Sequence, residues 1–296
     1  MEKGVDTLLA ARPAFKTGRV GAFAVGHYIY WPQFPGVEQK LLQHTDYLVQ
    51  RLKREANATI IAAEGLCDSS QRAFEVGGFF ARQQLDLLLC FVATYTPSAH
   101  VLPVIQRAGV PVVLLGLQPS AGMDYERATI ALQLEHDNVT SLPEIAGAMA
   151  RANQKPVDAV VGTLYDDEWA WERVVAWCEV ATVLHELKNA RIGLMGHVYE
   201  GMLDMNSDPT MADAHFGMHV EHVEMDDLKK RIDQVGEQEV NEKLALIEDV
   251  FDFPEPGADP VATKVQPEDL LWPARVACGM DRMVKDFRLT GLAYYY

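Results

Sequence analysis

The stretch RVGAFAVG at residues 19–26 decides the fold, because it is a short apolar run of β-favouring residues that ends at a glycine. An aromatic-rich loop, HYIYWPQFPG, follows at residues 27–36. Residues 37–55 then place apolar side chains at helical spacing among charged ones. This succession of buried strand, loop and amphipathic helix predicts the start of a parallel sheet.

The same alternation continues along the chain. Apolar runs predict strands at residues 59–63, 86–94, 110–117 and 159–164, and helical spacing predicts helices at residues 70–84, 97–108, 142–152 and 166–188. Strands of continuous apolar character between helices are typical of a parallel sheet that is covered on both faces. The predicted fold class is therefore α/β, in the form of Rossmann-like domains.

A second run that ends at a glycine, RIGLMG at residues 191–196, opens a second unit. We predict a Rossmann-like domain at residues 1–189 and a second α/β domain at 190–296. Its predicted elements are strands at 192–195, 219–225 and 289–296, acidic helices within 226–250, a Pro- and Gly-rich loop at 253–260 and a helix at 267–287. The last strand is expected to be buried, and about three strands are few for an open sheet, so we expect this domain to be incomplete at its C-terminal end.

Composition limits the classes of partner. Of the 296 residues 49% are hydrophobic and 23% charged, which is typical of a folded globular protein. The formal net charge of −16 repels phosphate backbones and anionic lipids, so neither nucleic acid nor a membrane is expected as a partner. Four scattered cysteines and the lack of a signal-peptide pattern predict a cytoplasmic protein with free thiols.

Common catalytic and nucleotide-binding motifs are missing from the sequence. It contains no G-x-G-x-x-G after the first strand, no phosphate-binding P-loop, no G-x-S-x-G and no H-E-x-x-H. These absences argue against a dinucleotide enzyme, a P-loop NTPase and the hydrolases that carry such motifs.

Four features are open to a chemical and a structural interpretation, and the structural one is favoured for each. His215, His219 and His222 could bind a metal, but a strand would point the last two to opposite faces. The acidic residues 166–168 fit a helix cap better than a proton-transfer pair. Cys67 is expected to be an ordinary thiol, and His100 a partly buried packing residue.

The loops after the predicted strands are more informative. In open parallel sheets, ligands bind beyond the carboxyl ends of the strands. Three such loops carry aromatic, hydroxyl or amide groups, which suit the apolar faces and hydroxyls of a sugar. They are His27, Tyr28, Tyr30, Trp31 and Gln33, then Thr94, Tyr95 and Thr96, and then Gln118 and Ser120. The alternative is that these aromatic side chains fill a domain or subunit interface.

Several segments together resemble the first two domains of the L-arabinose and L-fucose isomerase family. They are VGHYIYW at residues 25–31, ATYTPSA at 93–99, RIGLMG at 191–196 and FG at 216–217, and the resemblance covers nearly the whole chain. It implies a metal-dependent isomerase of carbohydrate metabolism, which interconverts an aldose and a ketose through an ene-diol. The implied cofactor is Mn²⁺ or another divalent metal, and paired acidic residues move the proton.

The resemblance also implies which residues contact the sugar. They are Tyr28, where the family has a glutamine, and Tyr30, Trp31, Gln118, Tyr199 and Trp272. It assigns no catalytic residue and no metal ligand to this chain, since the family's ligands are expected after Tyr296. In the family the first domain of one subunit completes the site of its neighbour, which implies a homo-oligomer. The alternative function is a non-catalytic sugar-binding or regulatory protein with two Rossmann-like domains.

Overall fold

A computed structural model of the chain describes residues 17–199, 201–252 and 266–294. The described residues form two compact units, which divide between residues 186 and 187. The predicted domains at residues 1–189 and 190–296 extend beyond the described residues and stay a prediction.

The first unit contains a five-stranded parallel sheet, as the alternating pattern predicts. Its strands are β1 (Gly18–Val25), β2 (Ala58–Cys67), β3 (Leu87–Val92), β4 (Val112–Gln118) and β5 (Asp158–Thr163). They lie in the order β2-β1-β3-β4-β5. The order reverses between β1 and β3, so the loops after these two strands leave in opposite directions and open a crevice between them.

Helices cover both faces of this sheet because its strands are apolar on both sides. They are α1 (Val37–Glu55), α2 (Ser70–Phe80), α3 (Leu102–Ala108), α4 (Ile130–His136), α5 (Asn138–Arg151) and α6 (Glu168–Lys188). In β3, Leu89 and Phe91 belong to one buried core with α1 and α6, and Leu88 and Cys90 belong to another with α2, α3 and α5. The apolar run of β3 therefore stabilises two layers at once.

The second unit contains a three-stranded parallel sheet in the order β7-β6-β8. Its strands are β6 (Arg191–Met195), β7 (His219–Val223) and β8 (Gly291–Tyr294), and its helices are α7 (Pro209–Phe216), α8 (Met225–Ile232), α9 (Glu237–Val250) and α10 (Leu271–Phe287). The prediction that the last strand is buried is wrong for Ala293 and Tyr294, which are exposed on this edge strand. The predicted loop at residues 253–260 lies outside the described residues.

Some element boundaries differ from the predictions, mainly near prolines. The helix predicted at 97–108 is a 3₁₀ turn at Ser98–His100 followed by α3, which has Pro103 in its first turn. The helix predicted at 142–152 begins earlier, at Asn138, so that Pro143 lies inside it. Helices α4 and α7 were not predicted. No helix in the described part of the chain is long and apolar enough to cross a membrane.

Candidate functional site at the carboxyl ends of β1 and β3

The crevice between β1 and β3 is the place where the fold favours a ligand. Strand β1 ends at Val25 and leads into a 3₁₀ turn at Tyr28–Tyr30, and β3 ends at Val92 and leads into the turn at Ser98–His100. Two of the three loops that the sequence singles out therefore meet at one edge of the sheet.

The carbonyl of Gly26 joins these two loops. The Thr96 hydroxyl donates to the Gly26 oxygen, and His100 Nδ1 lies 3.1 Å from the same atom. A Cβ on residue 26 would lie 3.0 Å from the Trp31 ring, which explains the glycine at this position. The start of the aromatic loop is thus held by both a hydroxyl and an imidazole.

Hydrogen bonds to helices α4 and α5 fix the second loop. The Thr94 hydroxyl donates to the Leu134 carbonyl at 2.6 Å, and the Thr96 amide donates to Ser141 Oγ at 2.7 Å. Glu144 accepts hydrogen bonds from the amide and the hydroxyl of Ser98 at 2.9 and 2.7 Å. Helices α4 and α5 therefore hold this loop rigidly beside the aromatic one.

Four rings surround His27. Their centroids lie 5.5 Å (Tyr28), 5.3 Å (Tyr30), 6.3 Å (Tyr95) and 5.1 Å (His100) from the centroid of the His27 ring. Tyr28 and Tyr95 are 53% and 37% exposed, whereas His100 is buried. We name these five residues the ring cluster. It has a packed base and an open side lined by two tyrosines.

The surroundings of the His27 imidazole favour its neutral form. Burial lowers its pKa below the ordinary value of 6.5, His100 lowers it further, and Asp68 partly offsets the shift. His27 Nδ1 is buried and has no hydrogen-bond partner among the described residues. This favours the tautomer with its proton on Nε2, because an unpaired acceptor costs less than an unpaired N–H. The ring cluster therefore presents hydroxyls and a neutral imidazole, which match an uncharged polar ligand.

The six predicted sugar contacts fall into different environments. Tyr28 and Tyr30 belong to the ring cluster. The Trp31 indole N–H donates to Asp68 Oδ2 at 2.8 Å, so this donor is already used. The Gln118 amide donates one of its two N–H groups to the His136 carbonyl at 2.8 Å. Tyr199 and Trp272 belong to the second unit and are 50% and 59% exposed. The six assignments stay predictions.

The loop after β4 carries a further polar pair. Ser120 Oγ lies 2.9 Å from His136 Nε2, and His136 Nδ1 lies 2.9 Å from the Leu132 carbonyl. The Leu132 carbonyl is an acceptor, so His136 Nδ1 donates to it. Gln118 and His136 are thus parts of one hydrogen-bonded loop.

His100 is a packing residue, as its sequence context predicts. The residue is buried, as expected, and its ring lies against both His27 and Tyr28. Only its predicted place on a helix is wrong, because His100 lies in a 3₁₀ turn and the helix starts at Leu102.

The alternative chemical interpretations gain no support from the geometry. Burial raises the pKa of Cys67 to about 12, so the thiol is a poor nucleophile. Asp167 accepts the Ala170 amide at 3.0 Å, which confirms the helix cap. His219 Nε2 lies 3.3 Å from Glu221 on the same strand. Among the described residues, no three His, Cys, Asp or Glu side chains form a group that could hold a metal ion.

The chain is similar to a known protein. An L-arabinose isomerase of Aeromonas salmonicida (strain A449) is 24% identical over 169 residues, which are 57% of this chain and 33% of that protein. This match supports a relation to L-arabinose isomerases. The matched part thus spans about a third of the relative's length. No known family profile matches the sequence.

Proposed function

We propose that the chain is part of a sugar isomerase that interconverts an aldose and a ketose, and that the ring cluster contacts the sugar. The observation that carries this proposal is the ring cluster at the β1–β3 crevice, with His27 at its centre. The match to an L-arabinose isomerase supports the reaction class.

The exposed face of the ring cluster has the groups that sugar binding needs. The Tyr28 and Tyr95 rings cover the apolar C–H faces of a sugar, and their hydroxyls exchange hydrogen bonds with its hydroxyls. The neutral His27 adds no charge, so the site does not attract an anionic substrate. The loops held by Gly26 and Glu144 keep these groups in place before the sugar arrives.

The described residues do not fit a manganese site, because they include no suitable group of three ligating side chains. Under the proposal, Mn²⁺ and the acidic residues that move the proton belong to residues after Tyr296. The part of this chain is to bind, orient and enclose the sugar, and to assemble with further copies.

Sugar titrations of the chain with Tyr28→Phe test the proposal. The substitution removes one hydroxyl and keeps the ring, so the affinity for L-arabinose or L-fucose should fall about three- to tenfold, in line with one lost hydrogen bond of about 1 kcal/mol. Isothermal titration calorimetry measures this change. Tyr125→Phe is the matched control, since Tyr125 is 82% exposed and outside the ring cluster.

Equal affinities for Tyr28→Phe, Tyr125→Phe and the original chain would contradict the assignment of Tyr28. If the chain binds none of the pentoses and hexoses tested, the proposal as a whole is contradicted.

A further inference from the structure

The first unit has an open edge at strand β2. This strand of ten residues pairs with β1 on one side, and no strand among the described residues pairs with its other side. Its first six residues, ATIIAA, carry no charge and are partly or fully exposed. Proteins normally protect such an edge with charges, prolines or a short strand, because it is a template for pairing with another chain.

The far end of β2 is shaped differently. The register between β1 and β2 shifts after Ala22, and Gly65 adopts a φ of +66° at this irregularity, next to the exposed Glu64. The bulge bends the strand and ends its regular edge. The regular, uncharged part is therefore residues 58–63.

A groove follows the edge on each face of the sheet. One lies between β2 and α1 and is lined by Val49 and Gln50 together with Ala62 and Ala63. The other lies between β2 and α2 and is lined by the same two alanines with Phe79. Both grooves are thus lined in part by the small side chains of Ala62 and Ala63.

The charges on α1 indicate what this neighbour is. Asp46 and Lys53 lie seven residues apart on the groove-lining face of α1, both are exposed, and neither has an ion pair within the described part of the chain. If two α1 helices lie antiparallel, with a two-fold axis between Val49 and Gln50, each Asp46 lies opposite Lys53 of the other copy. A two-fold rotation also lays two β2 strands antiparallel, and their regular parts at residues 58–63 carry no charges that could repel each other.

We propose that β2 pairs with β2 of a second copy of this chain across a two-fold axis, joining two five-stranded sheets into one continuous sheet. The two α1 helices then pack side by side and form two Asp46–Lys53 ion pairs. A two-fold contact joins the same patch of both copies, so the patch must be complementary to itself. Opposite charges at equal distances on either side of the axis satisfy this condition. The contact specifies the assembly of copies that the proposed function includes, but it does not depend on sugar binding or on isomerase activity.

Charge reversal with rescue tests this contact by analytical ultracentrifugation at concentrations up to about 100 µM. Asp46→Lys and Lys53→Asp each place like charges across the axis, so each should halve the mass of the assembly and raise its dissociation constant at least about tenfold. The double variant restores opposite charges and should restore the mass. Asp226→Lys, an exposed position in the second unit, is the control and should leave the mass unchanged.

Cross-linking gives a second measurement. Gln50→Cys places a thiol near the axis, so mild oxidation should yield a covalent dimer, whereas Gln238→Cys on α9 should not. The four natural cysteines are buried and should not cross-link. Circular dichroism checks that each variant is folded. A monomeric chain at the highest concentration, an unchanged mass in both single charge variants, or no covalent dimer from Gln50→Cys would overturn the proposal.

Discussion

His27 lies where the two loops of the candidate site meet, and its environment decides its charge. Four rings surround it, and burial together with His100 lowers its pKa. A lowered pKa means that the folded protein binds this proton less readily than the unfolded chain does. The folded protein therefore favours the neutral form of this imidazole.

This shift predicts a pH dependence of stability. As the pH falls below about 6.5, the unfolded chain binds a proton at residue 27 before the folded protein does, so the free energy of unfolding decreases. The decrease stops once the pH is below the folded pKa. His27→Gln should remove this contribution, so the urea midpoint of the variant should vary less between pH 7 and 5 than that of the original chain. His215→Gln, at an exposed position, is the control, and equal slopes for all three proteins would contradict the assigned shift.

At the level of elements, the site depends on bonds between loops that follow different strands. Thr96 is the central residue, because its hydroxyl donates to Gly26 after β1 while its amide donates to Ser141 on α5. Its side chain is 1% exposed, so a lost bond is not replaced by water. The position of the aromatic loop after β1 thus depends on a hydrogen bond from Thr96, which lies in the loop after β3.

Thr96→Val keeps the shape of the side chain and removes this bond. We expect the free energy of unfolding to fall by about 1–2 kcal/mol, and sugar affinity to fall because Gly26 and His27 lose a support. Urea denaturation and calorimetric titration measure the two effects. Thr210→Val on the surface of α7 should change stability by less than about 0.5 kcal/mol. A Thr96→Val protein with unchanged stability and affinity would show that the bond has no such role.

The strands were predicted better than the helices, for physical reasons. A buried parallel strand is a continuous apolar run, and the runs at 86–94 and 110–117 contain β3 and most of β4. Helix α4 follows a polar loop and its short apolar pattern gave little signal, whereas Pro143 inside α5 imitated a helix start. The loops at strand ends could be predicted as a site, but contacts between residues 70 positions apart, such as Thr96 with Gly26, leave no local pattern.

At the scale of the whole molecule, we expect sugar binding and metal chemistry to depend on different residues. An ene-diolate needs an electrophile to stabilise it, and no group of three ligating side chains exists among the described residues. Residues 1–296 with Mn²⁺ should therefore form no ketose from a panel of aldoses. A variant with alanine at His215, His219 and His222 is the control. Metal-dependent ketose formation that disappears in this variant would place the metal site in that cluster.

The most direct test of the central claim is a sugar titration followed by nuclear magnetic resonance of the histidine side chains. The chain has nine histidines, and ¹⁵N-histidine labelling with His27→Gln and His100→Gln variants assigns the two in the ring cluster. The account predicts that L-arabinose or L-fucose shifts the His27 and His100 signals in a saturable way and leaves those of His215 and His219 unchanged. Saturable shifts confined to other histidines, or no shifts at any sugar concentration, would contradict a sugar site at the ends of β1 and β3.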